Sequence, residues 1–424
     1  MTAHPQLARR LGLADAVFIG LGSMIGAGVF AVFSPAAEAA GSGLLIGLAI
    51  AAVVAYCNAT ASAQLAAVYP TSGGTYAYGR ERLGEWWGFV AGWSFVVGKT
   101  ASCAAMALTF AVYAAPAGWE RPIAAAAVIA LAAVNYHGVT RTALLTRIIV
   151  IVVLGVLAVV VAAGASTGYW GDGAGPQPVD ELLGSGWYGI FQSAGLLFFA
   201  FAGYARIATM GEEVRNPRRT IPLAISLALF MAVTVYAFVA ITLLGTLGSD
   251  GLAASSAPLS SVVAASGWDW ADPVVQVGAA AASLGALLAL IAGIGRTTLA
   301  MAREADLPRW LAAVHPKYRV PHRAEVVLAG IVCVLVLTVD VRNAIGFSSF
   351  GVLLYYFIAN LAAFTQPKAD RRYPKALQAF GAFACLLLVG TLPPTSILVG
   401  TSVLVVGIVV RLVTRRRPKT TTDA

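Results

Sequence analysis

The sequence predicts an all-α integral membrane protein with about twelve transmembrane helices. Of its 424 residues, 59% are hydrophobic and 11% are charged, whereas about a quarter of the residues in ordinary soluble domains are charged. Apolar runs of about 20 residues, enough to cross roughly 30 Å of hydrocarbon, recur along the whole chain. Lysine and arginine concentrate in the connections on one side of these runs, which is typical of membrane topology.

The spans are placed by the length of each apolar run and by the charges and turn residues that bound it. They are 13–33, 44–68, 86–114, 122–137, 145–165, 187–210, 221–247, 273–302, 325–340, 343–365, 377–392 and 394–413. The fourth span and the last pairs are short or closely joined, so eleven or thirteen spans stay open. Arg9 and Arg10 lead directly into a full-length span, which argues against a cleavable signal peptide.

The basic residues orient the chain. With the even-numbered connections in the cytoplasm, all but four of the 28 lysines and arginines lie on the cytoplasmic side. The four exceptions are Arg121 and Arg342 on the opposite side and Lys99 and Arg206 within spans. Both termini are therefore predicted in the cytoplasm, as tails of residues 1–12 and 414–424. The net charge of +9 comes from these short loops, so it indicates topology rather than nucleic-acid binding.

Few residues suited to catalysis lie within the spans, so no enzyme is predicted. A membrane-embedded protease or acyltransferase needs His, Asp or Glu at catalytic spacing there, and the spans contain almost none. The four cysteines fall in predicted spans and form no CxxC pair. The histidines lie at loop borders or in the N-terminal tail, so neither a metal site nor a cofactor is expected.

The first span contains an unusual run of glycines. Residues 20–30 read GLGSMIGAGVF, although a glycine costs a helix about 1 kcal/mol relative to alanine. A dinucleotide-binding loop would need a preceding strand and a suitably placed acid, but the next acid, Glu38, falls in a predicted outer loop. Two interpretations stay open. Gly22 and Gly26 allow close helix packing, or the helix breaks where its backbone lines a cavity.

A second interrupted helix favours the break. The sixth span lies within FFAFAGYARIATMGEEVRNPRRTIP (198–222) and places Gly203 between small and aromatic residues near mid-depth. Because five helices separate the two breaks, helices 1–5 and 6–10 would have opposite orientations in the membrane. Half-helix N-termini offer N–H groups to an anion, and the freed carbonyls accept from a cation. The pair of breaks therefore predicts a mid-membrane site for a zwitterion.

Four motifs in this order resemble the amino acid–polyamine–organocation superfamily of amino acid permeases and antiporters. They are GSMIGAGVF at 22–30, YPTSGGTYAY at 69–78, FFAFAGY with EEVRNPRRTIP through 222, and RTTLAMAREADLPRWLAAVHPKYRVPH at 296–322. The resemblance covers nearly the whole chain and implies a secondary amino acid transporter of the cytoplasmic membrane that works by alternating access. It also implies the LeuT-type five-plus-five inverted repeat, with repeats at 13–165 and 187–365 and two further helices at 377–413.

The resemblance places a substrate site at the two breaks. It implies that the N–H groups of Ala27 and Gly28 meet a substrate carboxylate and that the carbonyls of Met24 and Ala202 meet its α-amino group. Phe199 stands where the family has an aromatic gate. The expected substrate-binding residues are Ser23, Met24, Ile25, Gly26, Ala27, Gly28, Phe199, Ala202, Gly203 and Tyr204. The TSGG segment at 71–74 is expected to be an inner loop that helps the cytoplasmic gate.

Two departures from the family pattern concern ion coupling. Many proton-coupled or ion-independent relatives have a lysine on the fifth helix where this chain has Val153. Lys99 lies instead within the third span, where a cation is by default a functional candidate. When protonated, Lys99 could pair with carbonyls freed at the break in helix one. Arg206 has two interpretations. It either has a structural role, in which it pairs with carbonyl groups, Glu212 or Glu213, or it belongs to the substrate site.

Charge within the membrane separates the candidate substrates. The family admits lysine, arginine and polyamines, but the spans offer no mid-depth carboxylate for a cationic side chain, and Lys99 and Arg206 add positive charge. Neutral amino acids are therefore favoured, with a basic amino acid or polyamine exchanger as the alternative. A non-transporting amino acid sensor with the same fold also stays open.

Overall fold

The computed structural model is almost entirely helical. It describes residues 11–69, 73–138, 143–168, 179–208, 210 and 213–416. Within these ranges there is no strand, and an isolated β-bridge pairs Leu11 with Val214. The predicted all-α fold class is confirmed.

Eighteen α-helices are found within the described ranges. The first nine are α1 (Leu13–Met24), α2 (Gly28–Ala31), α3 (Phe33–Ala40), α4 (Leu44–Val68), α5 (Gly74–Leu83), α6 (Glu85–Ala114), α7 (Glu120–Tyr136), α8 (Ala143–Ala165) and α9 (Val179–Leu182). The other nine are α10 (Gly186–Phe201), α11 (Ala205–Ala208), α12 (Pro217–Ala254), α13 (Pro258–Ala265), α14 (Asp272–Arg303), α15 (His322–Thr338), α16 (Val341–Phe364), α17 (Lys375–Thr391) and α18 (Pro394–Arg416). Short 3₁₀ turns lie at Gly41–Gly43, Ala202–Tyr204, Asp269–Ala271 and Arg309–Ala312.

Eight helical segments of the described chain are long and apolar enough to cross a membrane. They are α1 with α2, α3 with α4, and α6, α8, α12, α14, α16 and α18. The shorter helices α7, α10, α15 and α17, of 16 or 17 residues, overlap the remaining predicted spans. The chain is therefore a multi-pass membrane protein, and the number of twelve crossings stays a prediction.

Three segments expected to be loops contain helices. Glu38, expected in an outer loop, lies on α3; the TSGG segment leads into α5; and the outer connection 248–272 contains α13. These helices are eight to ten residues long. They are too short to be detected as membrane-spanning apolar runs. Thr71 and Ser72 of the TSGG segment lie outside the described residues.

Both predicted helix breaks are present. The backbone leaves helical geometry after Met24 and resumes it at Gly28, with Ile25 at φ −78° and ψ 22°. In the second break, α10 ends at Phe201 and a 3₁₀ turn precedes α11. Gly26 also packs closely on α14, because a Cβ atom there would lie 2.8 Å from the Cβ of Ala286. The glycine run thus contains both the helix break and a close helix contact at Gly26.

The two breaks pack directly against each other at Gly203. A Cβ atom on Gly203 would lie 2.6 Å from the backbone nitrogen of Met24 and closer still to the carbonyl group of Ser23. A Cβ atom on Gly28 would lie 2.9 Å from the Cα of Ala200. Real side chains do not tolerate such distances, so glycine permits the close approach of the two backbones. The breaks form one structural unit in the centre of the bundle.

Helix α6 lies beside this unit and determines which side chains can reach it. Its neighbours along most of its length are α14 and α16, while α10 packs on α4 and α1 packs on α12. Lys99, on α6, is consequently 8% exposed although it carries a charge. This arrangement places the side chains of α6, α14 and α16 around the two breaks.

We expect Gly203→Ala to destabilise the protein, because the added methyl group would be forced into the backbone of α1. Overpacking of this kind costs about 1–3 kcal/mol. The measurement is the apparent melting temperature of the purified protein in detergent. Gly155→Ala on α8 is the matched control, since a Cβ atom there meets nothing within 4 Å. Equal melting temperatures for the two variants would contradict the close approach at Gly203.

Candidate functional site

A large cavity lies beside the two helix breaks. Its volume is about 330 Å³, and its walls come from α1, α6, α10, α11, α14 and α16. These helices correspond to the first, third, sixth, eighth and tenth predicted spans. The cavity runs from the breaks to Arg296 and Thr297, about two turns before the end of α14 at Arg303. That end of the bundle also carries Arg80 and Arg411, and we call it the basic end.

The structure brings some of the predicted site residues to the cavity and places others behind its wall. Ser23, Phe199, Ala202 and Gly203 line it, and so do both coupling candidates, Lys99 and Arg206. The residues outside its lining are Met24, Ile25, Gly26, Ala27, Gly28 and Tyr204. Their predicted contact with substrate therefore depends on backbone groups at the breaks rather than on exposed side chains.

Tyr236 of α12 satisfies carbonyl groups at both breaks. Its hydroxyl lies 2.6 Å from the carbonyl oxygen of Met24 and 3.1 Å from that of Ala200. Its ring packs edge-on against Phe201, with centroids 5.0 Å apart. A helix break leaves carbonyls without intrahelical donors, and such groups need partners in hydrocarbon. The Met24 carbonyl, which is predicted to bind a substrate amine, thus already accepts a hydrogen bond from Tyr236.

In this conformation Lys99 contacts the second break, whereas its predicted pairing was with carbonyls of helix one. Its Nζ atom lies 3.4 Å from the carbonyl oxygen of Ala202. The Tyr356 hydroxyl of α16 donates to the same oxygen at 3.3 Å, and its ring lies 5.1 Å from the ring of Tyr204. The rotation of α6 about its axis directs the lysine toward the 3₁₀ turn Ala202–Tyr204. Lys99 and Tyr356 together satisfy the carbonyl that the break exposes.

One face of α6 forms a wall of the cavity. Phe95, Lys99, Ser102 and Met106 all line it, at helical spacings of three and four residues. The hydroxyls of Ser102 and Ser348 lie 2.6 Å apart and join α6 to α16. On the basic side of Lys99, the Phe95 ring packs 5.1 Å from that of Tyr355, which also lines the cavity. The wall thus offers both aromatic and hydroxyl groups.

Positive charge predominates in the cavity. Among its described lining residues, three are cationic (Lys99, Arg206 and Arg296) and one, Glu213, is acidic. Arg206 and Glu213 both line the cavity, and both interpretations of Arg206 stay predictions. Glu212 lies outside the described residues. A ligand with a cationic side chain would be repelled by this lining.

On the side of the cavity away from the basic end, Tyr113 joins α2, α6 and α13. The Tyr113 hydroxyl of α6 donates to the carbonyl oxygen of Phe30 at 3.1 Å and accepts from the backbone N–H of Leu259 at 3.4 Å. The Tyr113 and Phe30 rings meet edge to face, with centroids 5.6 Å apart. Helix α13, which was expected to be loop, thus contributes to this junction.

The fifth predicted span provides no ionisable group near the breaks. Val153 of α8 is 2% exposed and belongs to the hydrophobic core. In the described ranges, no group of three or more His, Cys, Asp and Glu side chains is arranged to hold a metal ion. Among the described residues, Lys99 is a cationic side chain that contacts a break.

The family model for amino acid permeases matches residues 11–423. The chain belongs to the amino acid permease family. This confirms the resemblance to the amino acid–polyamine–organocation superfamily, and the match covers almost the whole permease.

Relatives of the permease are themselves transporters by name. An uncharacterized transporter of Mycobacterium tuberculosis is 57% identical over 419 residues, which cover 98% of this chain and 94% of the relative. The branched-chain amino acid permease BcaP of Bacillus subtilis is 25% identical over 403 residues, 90% of this chain and 85% of the relative. The chloroplastic cationic amino acid transporter 7 of Arabidopsis thaliana is 28% identical over 384 residues, 85% of this chain and 66% of the relative.

Sequence reasoning missed the tyrosines of the permease that support the site. Tyr236, Tyr355 and Tyr356 each contact a break or the cavity wall, and none was singled out. A tyrosine in the interior of an apolar helix is a usable signal, because a buried hydroxyl needs a hydrogen-bond partner. The signal does not identify the partner, since the sequence alone does not fix which way each helix faces.

We expect Tyr236→Phe to loosen both breaks, because two carbonyl groups lose their shared donor. Hydrogen bonds between membrane helices contribute about 0.6–1.7 kcal/mol each, so the apparent melting temperature in detergent should fall. Tyr188→Phe is the control, since Tyr188 is 55% exposed on α10. Unchanged stability in Tyr236→Phe would show that its hydroxyl does not support the breaks.

Proposed function

We propose that the permease is a secondary transporter of neutral amino acids that moves them across the cytoplasmic membrane by alternating access. The observation that carries this proposal is the cavity of about 330 Å³ bounded by two interrupted helices. Interrupted helices place backbone N–H and C=O groups where a zwitterion can use both. The transporter names of the relatives support the same function.

The two ends of a zwitterion fit different parts of the site. In this proposal the carboxylate is bound by backbone N–H groups of the first break, those of Ala27 and Gly28, which follow Gly22 and Ser23 in the cavity lining. The carbonyl oxygen of Ala202 lines the opposite break and suits an α-ammonium group. In this proposal the side chain of the substrate lies among Phe95, Ser102 and Met106, which favours apolar or small polar groups.

The charge of the lining supports neutral substrates over basic ones. Lys99, Arg206 and Arg296 outnumber the one acid, Glu213, among the described lining residues. Relatives carry names for both branched-chain and cationic amino acid transport, so family membership leaves the choice open. A basic amino acid or polyamine exchanger remains the alternative function.

The orientation of the permease follows in this proposal from its basic loops. The basic end faces the cytoplasm, both termini lie there, and the cavity extends toward it. Helices α1–α8 and α10–α16 then form the two halves of a LeuT-type inverted repeat, with α17 and α18 added. The junction of Tyr113 with α13 lies on the outer side.

In this proposal Lys99 couples the binding of substrate to the binding of a proton. Its ammonium group and the α-ammonium group of a substrate suit the same acceptor, the carbonyl oxygen of Ala202, 3.4 Å from Nζ. A protonated Lys99 therefore competes with the substrate amine for this oxygen. Substrate binding and Lys99 protonation then influence each other reciprocally. Val153 on α8 leaves no lysine in the position that other relatives use.

Uptake by the purified protein in proteoliposomes tests the function and its substrate class. We expect unlabelled alanine, serine and leucine to compete with radiolabelled alanine uptake, and arginine and putrescine to have little effect. Liposomes without protein provide the background. Competition by arginine or putrescine alone would favour the exchanger, and binding of neutral amino acids without uptake would favour a sensor.

Lys99→Met tests the coupling. The change keeps the volume and removes the charge, so we expect binding and exchange of substrate to persist while accumulation driven by a pH gradient is lost. Lys375→Met is the control, because Lys375 lies outside the cavity, with Nζ 4.7 Å above the Phe364 ring. If Lys99→Met accumulates substrate with the wild-type pH dependence, Lys99 is not the coupling residue.

A further inference from the structure

A buried ion pair joins the last helix to the segment after α14. Arg411 of α18 and Asp306 both have side chains that are 0% exposed, with Nη2 of the arginine 2.8 Å from Oδ1 of the aspartate. The Arg411 guanidinium also lies 4.5 Å from the ring centroids of Trp86 and Phe89. It donates to the backbone carbonyl of Glu85 at 3.0 Å. Arg411 is thus fixed against the start of α6.

Asp306 is held from a second side by α5. The Tyr76 hydroxyl donates to Oδ2 of Asp306 at 2.9 Å, and Arg80 Nη1 donates to the same atom at 3.1 Å. Arg80 also forms ion pairs with Glu304 at 3.1 Å and with Glu85 at 3.5 Å. Burial, together with the adjacent Asp306, raises the pKa of Tyr76, so its hydroxyl remains a donor. One carboxylate therefore connects α5 with α18.

Helix α5 connects this carboxylate to the cavity. The backbone N–H of Thr75 donates to the Tyr355 hydroxyl at 3.0 Å, and Tyr355 lines the cavity beside Phe95. Thr75 and Tyr76 are consecutive residues in the first turn of α5. A displacement of that turn would therefore move the contact with Tyr355 and the contact with Asp306 together.

Stability alone does not account for a charge pair in this place. Removing two charges from water is costly, and well-packed apolar side chains in place of a buried ion pair often stabilise a protein equally well or better. A buried pair is better suited to favouring one arrangement of helices over another. Here the pair connects a helix outside the two proposed repeats to a turn that contacts the cavity.

We infer that Arg411 is a positioning residue for transport, which acts through Asp306 and the first turn of α5 to hold the cavity open toward the basic end. This inference rests on the proposed transport function. Arg411, Asp306 and Tyr76 form a latch that is closed in this conformation. Release of the latch frees α5 and lets the wall that contains Tyr355 move during the transport cycle.

The rate of thiol labelling measures how open the cavity is toward the basic end, and the measurement requires no substrate. Thr297 lines the cavity toward the basic end. The labelling rate of Thr297→Cys therefore reports how accessible the cavity is from that side. The parent protein, without this substitution, gives the background labelling of the native cysteines. We expect Arg411→Met and Tyr76→Phe each to slow labelling of this cysteine by about five-fold or more, the size of a typical conformational coupling. Arg411→Lys should restore part of the rate, because it returns a positive charge to Asp306.

The control is Arg303→Met, which removes an exposed cation from the end of α14 without touching the latch. It should label at the wild-type rate. The double variant Arg411→Met with Tyr76→Phe should label no more slowly than Arg411→Met alone, because both changes act on one connection. Additive effects would show that Arg411 and Tyr76 act separately and would overturn the inference.

Tyr76→Phe loses only a hydroxyl group and tests the connection even if Arg411→Met does not fold. A folded Tyr76→Phe variant that labels at the wild-type rate would overturn the inference, as would a folded Arg411→Met variant that does so. A purely structural Arg411 would lower the melting temperature and leave the labelling rate of the folded fraction unchanged. Slower labelling without uptake of any amino acid would support the latch and count against the proposed transport.

Discussion

The close approach of two interrupted helices is the constraint on which the rest of the structure depends. At Gly203 the backbone of one break lies against Ser23 and Met24 of the other, with no space for a side chain. Each break exposes carbonyl groups that a continuous helix would satisfy, and hydrocarbon offers them no water. Tyr236 and Lys99 bring donors from neighbouring helices to these carbonyls. The positions of α6 and α12 around the centre follow from this requirement.

The same requirement explains why one charged side chain is tolerated in the centre of the bundle. Lys99 satisfies the carbonyl oxygen of Ala202 and lines the cavity at the same time. In the proposed mechanism a substrate ammonium group competes for that oxygen, so structural support and the proposed ion coupling depend on one contact. The sequence family does not decide the substrate, since its named members include branched-chain and cationic amino acid transporters. The charges lining this cavity are therefore the more direct guide to the class of substrate.

The basic end of the bundle is organised by a second buried charge. Asp306 binds Arg411 of α18 and Tyr76 of α5, and the residue before Tyr76 contacts Tyr355 in the cavity wall. The last helix, which lies outside the two proposed repeats, is thereby connected through Asp306 and α5 to the cavity wall. Helix α5 was missed in the sequence because it is only ten residues long.

The sequence by itself determined the membrane class, the family, the positions of the long helices and the two breaks. These properties depend on composition, on the length of apolar runs and on glycines such as Gly26 and Gly203, all of which are local. Only the tertiary structure decided that Lys99 meets Ala202, in the 3₁₀ turn after α10, rather than a carbonyl of α1. A lysine at the centre of a bundle can reach either break, and the packing of α6 between α14 and α16 selects one, because it fixes how α6 is rotated about its axis.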